Sequence, residues 1–181
     1  MEWSEMTYDE ATEKYRPAEI KVLFVAESPP DDPNRHFYFE HVEKHDSLFI
    51  NMMRVCFPSE TNKQTVKQMR KVKAQYLERF KGSGFFLIDA SKTSIAGKQK
   101  PDKLPILELE REALVQRIRL LGASNPLIIL ITKTVWEVYH DFLRSKGFKV
   151  AHDFPILYPG LGHQKSFYVA LAAILKRHGF L

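Results

Sequence analysis

The chain holds one cysteine, Cys56, in 181 residues. A single thiol excludes an intrachain disulfide and any zinc or iron–sulfur centre built on several thiolates. No apolar stretch approaches the ~20 residues that a membrane-spanning helix requires. The opening MEWSEMTYDEATEKYRP is acidic and amphipathic, without the basic start and apolar middle of a secretory signal. Neither G-x-x-x-x-G-K-[ST] nor G-x-G-x-x-G follows any strand-like run, which disfavours a nucleoside-triphosphate or dinucleotide fold. Internal repeats and low-complexity linkers are also missing. The expectation is one α/β domain over residues 1–181, cytoplasmic and monomeric, with residues 1–19 as an extension packing on the core. A second domain of ordinary size does not fit in this length.

What is present begins with a modest positive charge. Lys and Arg number 27 against 22 Asp and Glu, a net +5. Seven of the basic residues, Lys63, Lys67, Arg70, Lys71, Lys73, Arg79 and Lys81, fall between Glu60 and Lys81, and Lys98, Lys100 and Lys103 form a second cluster in a loop. A solvated helix face and a phosphate-contact surface both fit such runs.

Four apolar runs read as strands: 21–26, 85–90, 126–132 and 154–158. Val22 to Val25 is unbroken, as in a strand buried on both faces of a parallel sheet. Helical spacing marks 46–57, with Asp46 as N-cap candidate, and also 60–80, 106–121, 134–147 and 164–179, three of them stopped by glycine. Strands alternating with helices predict a three-layer αβα arrangement around a central four-stranded, mostly parallel sheet. Right-handed crossovers then bring the strand carboxyl ends to one edge. Glu27-Ser28, the segment from Asp89 to Lys92, Thr132-Lys133-Thr134 and Tyr158-Pro159-Gly160 are expected to converge there on a cleft, where open α/β sheets bind ligands.

The order of these strand ends resembles the uracil-DNA glycosylase superfamily. Ala26-Glu27-Ser28-Pro29-Pro30 takes the place of the first motif, G-E-A-P-G or G-x-N-P-G. Ile88-Asp89-Ala90-Ser91-Lys92 takes that of the T-N-x-x-K-like segment. PLIILITKTVWEVY is similar to the third strand and its helix, and Tyr158-Pro159-Gly160-Leu161-Gly162-His163 stands in the last, H-P-S-type loop. The likeness spans roughly residues 20 to 178 by order and spacing, and no motif matches letter for letter. It implies a DNA partner and no cofactor or metal. It implies that Glu27 stabilises an oxocarbenium-like sugar or orients the water. Asp89 takes the place of the asparagine that reads the flipped base, and Phe37 or Phe39 that of the stacking ring. Tyr158 or His163 stands in for the histidine donating to the departing base, and Leu161 for the wedge. Ser28, Ser91, Lys92, Gly160, Gly162, Lys165 and Ser166 then contact DNA.

The departures have chemical content. An ionised aspartate offers only acceptors where an amide offers donor and acceptor. Pro30 replaces a glycine that lets the backbone approach the sugar. Two further readings therefore stand beside glycosylase activity: a non-catalytic nucleic-acid or base-binding protein on the same fold, and a small-molecule hydrolase of unrelated α/β fold. His41 and His45, one helical turn apart, lack a third metal ligand and read as a solvated helix start. Cys56 lies on an apolar stripe and reads as core.

Overall fold

The computed structural model describes residues 6–181. Three parallel strands, β1 (Val22–Ala26), β2 (Phe85–Asp89) and β3 (Leu127–Leu130), form a sheet in the order β2-β1-β3. All five residues of β1 are buried. Successive strand side chains point to opposite faces, so a wholly buried strand requires cover on both.

The cover comes from nine helices among the described residues: α1 (Tyr8–Lys14), α2 (Ser47–Cys56), α3 (Pro58–Thr61), α4 (Val66–Lys71), α5 (Lys73–Gly82), α6 (Lys100–Leu109), α7 (Arg111–Leu120), α8 (Lys133–Ser145) and α9 (Gln164–Arg177). They pack as two groups. α2 meets α3, α5 and α9, with α5 against β2; α6, α7 and α8 meet one another, with α8 against β3. α1 docks through Ala11 and Tyr15, both buried in the core. Cys56 is a buried core residue as well.

The expected fourth strand at 154–158 is not a strand. Only isolated parallel bridges, Ile128 to Val150 and Ile131 to Ile156, continue the sheet past β3. Two features of the chain explain this. Pro155 has no N–H for a ladder. The buried His152 puts its imidazole where strand backbone would lie: the Leu130 N–H donates to His152 Nε2 at 3.0 Å, and Nδ1 stands 2.6 Å from the Phe154 carbonyl. Nε2 accepts, so Nδ1 carries the proton and donates. A side chain has replaced a rung of backbone, and burial pushes the imidazole below its ordinary range.

Two expected helices are also divided. The stretch 60–80 becomes α3, α4 and α5, because Thr65 and Gln68 form a capping box that starts α4 afresh. The stretch 106–121 becomes α6 and α7, which break at Glu110. α6 starts at Lys100, so Lys100 and Lys103 lie on a helix and not in a loop. Asp46 precedes α2 without a side-chain cap bond; its carboxylate receives Arg70 Nε at 3.0 and 3.2 Å instead. His41 and His45 precede α2 outside any helix.

Candidate functional site

The register decides what meets at the sheet edge. Ala26 of β1 pairs with Asp89 of β2, and Val25 pairs with Leu130 of β3. Glu27, Asp89 and Thr132 therefore emerge side by side. In the order β2-β1-β3 the chain crosses from one side of β1 to the other, so the crevice between the ends of β1 and β3 is the topological switch point. A cavity of about 610 Å³ opens there. Its walls are the end of β1 from Ala26 to Pro30, Asp89, the turn from Ile131 to Thr134, the loop residues Leu157, Tyr158, Gly160, Leu161 and His163, the segment from Arg35 to Phe37, and the start of α2. The four strand-end segments converge on this cavity, apart from Ala90, Ser91, Lys92 and Pro159, which do not line it.

Glu27 is mostly buried, and its Oε2 receives Lys103 Nζ at 2.7 Å, with side chains 17% and 19% exposed. Oε1 makes no hydrogen bond among the described residues. Ser28 is occupied: its Oγ accepts the Ile95 N–H at 3.2 Å and so ties the 91–97 loop to the end of β1. Asp89 lies one step back. Its carboxyl has no hydrogen-bond partner among the described residues, and burial pushes it up to about 7 against the pull of Arg117. Arg117 gives Nη1 to the Asp89 carbonyl at 2.8 Å and Nη2 to the Ala90 carbonyl.

The two aromatic candidates separate. Phe37 lines the cavity, but its ring is buried edge-on to Phe49, with centroids 5.7 Å apart. Phe39 lies outside the lining and stacks on Tyr8 of α1 at 5.5 Å and 13°. Tyr8 also meets His36 at 4.1 Å and gives its hydroxyl to the Pro30 carbonyl, so the N-terminal helix braces the back of the cleft. His36 is neutral: burial, then the nearby Lys73, push it down to about 3.

The last loop forms the outer lip. Tyr158 stands partly exposed, and its phenol is pushed up by burial and drawn down by Arg35. A Cβ on Gly160 would come within 2.9 Å of the Tyr158 ring. Leu161 is fully exposed at φ 52° and is followed by Gly162 at φ 88°. A leucine held in the left-handed region with its side chain in water is an uncommon arrangement. His163 stands at the N-cap position of α9 without a side-chain cap bond, its imidazole exposed, and Gly162, Lys165 and Ser166 are exposed and do not line the cavity.

Across the crevice Thr132 has φ 85°, a strained value for a β-branched residue, and its hydroxyl accepts the Val135 N–H at 3.2 Å. The strain turns the chain from β3 directly into α8, whose N-terminus opens on the cavity. Arg35 Nε is buried in the same wall with no hydrogen-bond partner among the described residues. Neither the Thr132 turn nor the pairing of Lys103 with Glu27 has a local sequence signal. Thr132 reads as an ordinary strand end, and Lys103 reaches Glu27 from 76 residues away.

Ser91 and Lys92 sit elsewhere. Ser91 is fully buried, with Oγ 2.9 Å from both the Thr93 carbonyl and Glu110 Oε1, and has no surface for DNA. Lys92 faces a second cavity, also about 610 Å³, between α1, α7 and the outer edge of β2. The two cavities share Pro29, His36, Leu87 and Asp89 as a common wall. The outer edge of β2 between them is closed by side chains: the Tyr38 hydroxyl accepts the Leu87 N–H at 2.7 Å and donates to its carbonyl at 3.1 Å.

Among the described residues, no group of three or more His, Cys, Asp or Glu side chains is arranged to hold a metal ion, and no helix is long and apolar enough to cross a membrane. Comparison with models of protein families, with curated proteins and with solved structures finds no match to this chain.

Proposed function

We propose that the cleft receives a base extruded from DNA, and that the chain is a uracil-DNA glycosylase-like hydrolase of the N-glycosidic bond. The observation that carries the proposal is Glu27: a carboxylate at the switch point of a parallel sheet, inside a cavity sized for a nucleoside, with one oxygen anchored and the other unbonded.

Base release passes through a sugar with cationic character while negative charge grows on the base. Lys103 fixes Glu27 through Oε2, which leaves Oε1 to orient a water or face the developing cation. The Tyr158 hydroxyl and the His163 imidazole, on the same wall, are the donors for the departing base. Leu161 projects where a wedge would enter the stack. Arg35, Lys133 and the N-terminus of α8 supply positive potential for phosphate.

One observation favours the non-catalytic reading on the same surface: the Lys103 ammonium offsets the charge with which Glu27 would stabilise the sugar cation. Both nucleic-acid readings require electrostatic binding, and a small-molecule hydrolase does not. The test is oligonucleotide binding, single- and double-stranded, as salt rises from about 50 to 200 mM. A steep linear fall in log K against log salt, reduced in slope by Lys133→Ala, supports the nucleic-acid readings. Absent or salt-indifferent binding overturns them.

A further inference from the structure

We infer that Lys103 is a nucleophile of the cleft, and that its amine forms an imine with the ring-opened aldehyde of an abasic deoxyribose, the sugar that base release leaves behind. This rests on the base-release reading of the cleft and adds to it a reversible covalent step on the product.

Two lysines line the cavity among the described residues, Lys103 and Lys133, and their surroundings differ. Lys133 opens α8 with its side chain 58% exposed. The carboxylate it meets, Glu137, lies 3.9 Å away and is already engaged by Lys100 at 2.6 Å. Lys103 stands one helical turn before the buried Leu107, so α6 turns it inward. Its side chain is 19% exposed, and Nζ lies 2.7 Å from Glu27 Oε2. No other hydrogen bond or ion pair among the described residues holds this ammonium. An amine and a carboxylate within hydrogen-bond reach, both set in one cavity, form a nucleophile with its base. The same contact that dilutes the charge of Glu27 therefore equips Lys103 to attack a carbonyl.

The carbon that Glu27 faces in base release is C1′ of the sugar. After release the sugar opens, and C1′ becomes an aldehyde. Nζ reaches this carbon because it touches the same carboxylate. Glu27 Oε2 takes one proton from the ammonium, and the freed electron pair forms the C–N bond at C1′. A second proton moves from the nitrogen to the former carbonyl oxygen. Glu27 then returns the first proton, the C–O bond breaks, and the oxygen leaves as water. Ammonium and aldehyde have become a protonated imine and water, with no oxidant or reductant consumed. The imine cation again faces the Glu27 carboxylate, so the charge pair survives the step. Addition of water reverses it and frees Lys103, which leaves the abasic site open to later cleavage by alkali.

The experiment uses the full chain and an oligonucleotide carrying one preformed abasic aldehyde, so the protein's own base release is not required. Sodium borohydride reduces the imine to a stable amine. The cross-linked species is measured on a denaturing gel, and the joined peptide is mapped by mass spectrometry. The same strand carrying tetrahydrofuran, which has no aldehyde, reports binding alone. The expected result is a borohydride-dependent adduct on Lys103. Lys103→Arg keeps a cation against Glu27 and should lose the adduct even at concentrations that saturate its tetrahydrofuran binding. Glu27→Gln should slow adduct formation by about tenfold or more. The mapped peptide decides the matter in the native chain even where Lys103→Arg does not fold. Strand breakage without alkali that disappears in Lys103→Arg is the same imine carried through elimination, and supports the assignment. An adduct on Lys133 or another amine, or tetrahydrofuran binding without any adduct, overturns it and leaves the cleft reading standing. Failure of the cleft reading looks different: neither strand binds, and the inference falls with it.

Discussion

Lys103 Nζ lies 2.7 Å from Glu27 Oε2 across 76 residues of sequence, and neither side chain is more than one-fifth exposed. This pair joins α6 to the end of β1 and fixes the one carboxylate on which the proposed chemistry depends. Lys103→Met should therefore act twice. It leaves a partly buried carboxylate unpaired, which should lower stability by about 1–2 kcal/mol, less than for a fully buried pair. It also frees Glu27 to rotate, so base release should fall tenfold or more. Urea unfolding and single-turnover base release on the same preparation check both.

His152 predicts an acid-sensitive fold. Its neutral ring accepts the Leu130 N–H and donates to the Phe154 carbonyl. Burial holds it and His36 below the ordinary histidine range, His36 at about 3. Both imidazoles bind protons more readily in the unfolded chain. Their contribution is full above ~6.5 and is lost as pH falls from there through the native values. His152→Ala should cost about 1–3 kcal/mol at pH 7.5, because a buried N–H loses its acceptor. It should also flatten the fall in stability between about pH 6.5 and 5. Melting curves across pH read both effects.

These two residues also show where the sequence was legible and where it was not. β1, β2 and β3 are near-continuous apolar runs, and the periodicity of 134–147 and 164–179 is regular, so element type and order were readable. Glu27, Asp89, Thr132 and Tyr158 followed, because parallel topology sends strand ends to one edge. The missing fourth strand was not readable: a histidine imidazole standing in for backbone looks like any other polar residue. Phe39 was equally opaque. Its partner Tyr8 arrives from the N-terminal helix, and nothing local distinguishes a ring stacked on α1 from one facing a ligand. Long-range pairs such as Arg70 with Asp46 redirected a cap candidate for the same reason.

Lys73 is buried, with its ammonium 4.4 Å from the Phe49 ring centroid and only a 3.5 Å contact to the His36 carbonyl. Burial pushes it down to about 7. The unfolded chain thus binds this proton more tightly, and the penalty on the native state grows as pH falls from ~10.4 to about 7. Lys73→Met keeps the length without the charge and should stabilise by about 1–3 kcal/mol at pH 7. The gain should shrink toward pH 10. Thermal unfolding at the two pH values measures the difference.

Leu161 should separate binding from stability. Fully exposed at φ 52°, it contributes no buried area, and glycine relieves its backbone strain. Leu161→Gly should leave stability within about 0.5 kcal/mol, relief of strain offsetting unfolded-state entropy. Affinity for duplex DNA should fall more than affinity for a single strand, because only the duplex presents a stack to enter. Equal losses on both substrates would remove the wedge from the account.

The most direct test of the central claim is strand scission at the released base. Labelled oligonucleotides carrying uracil, hypoxanthine or xanthine, single- and double-stranded, are incubated with the protein and then treated with alkali, comparing the native chain with Glu27→Gln. The account predicts alkali-dependent cleavage at one or more of these bases, reduced at least a hundredfold by Glu27→Gln while salt-dependent binding is retained. Binding without cleavage of any substrate, or cleavage that Glu27→Gln leaves intact, would contradict it.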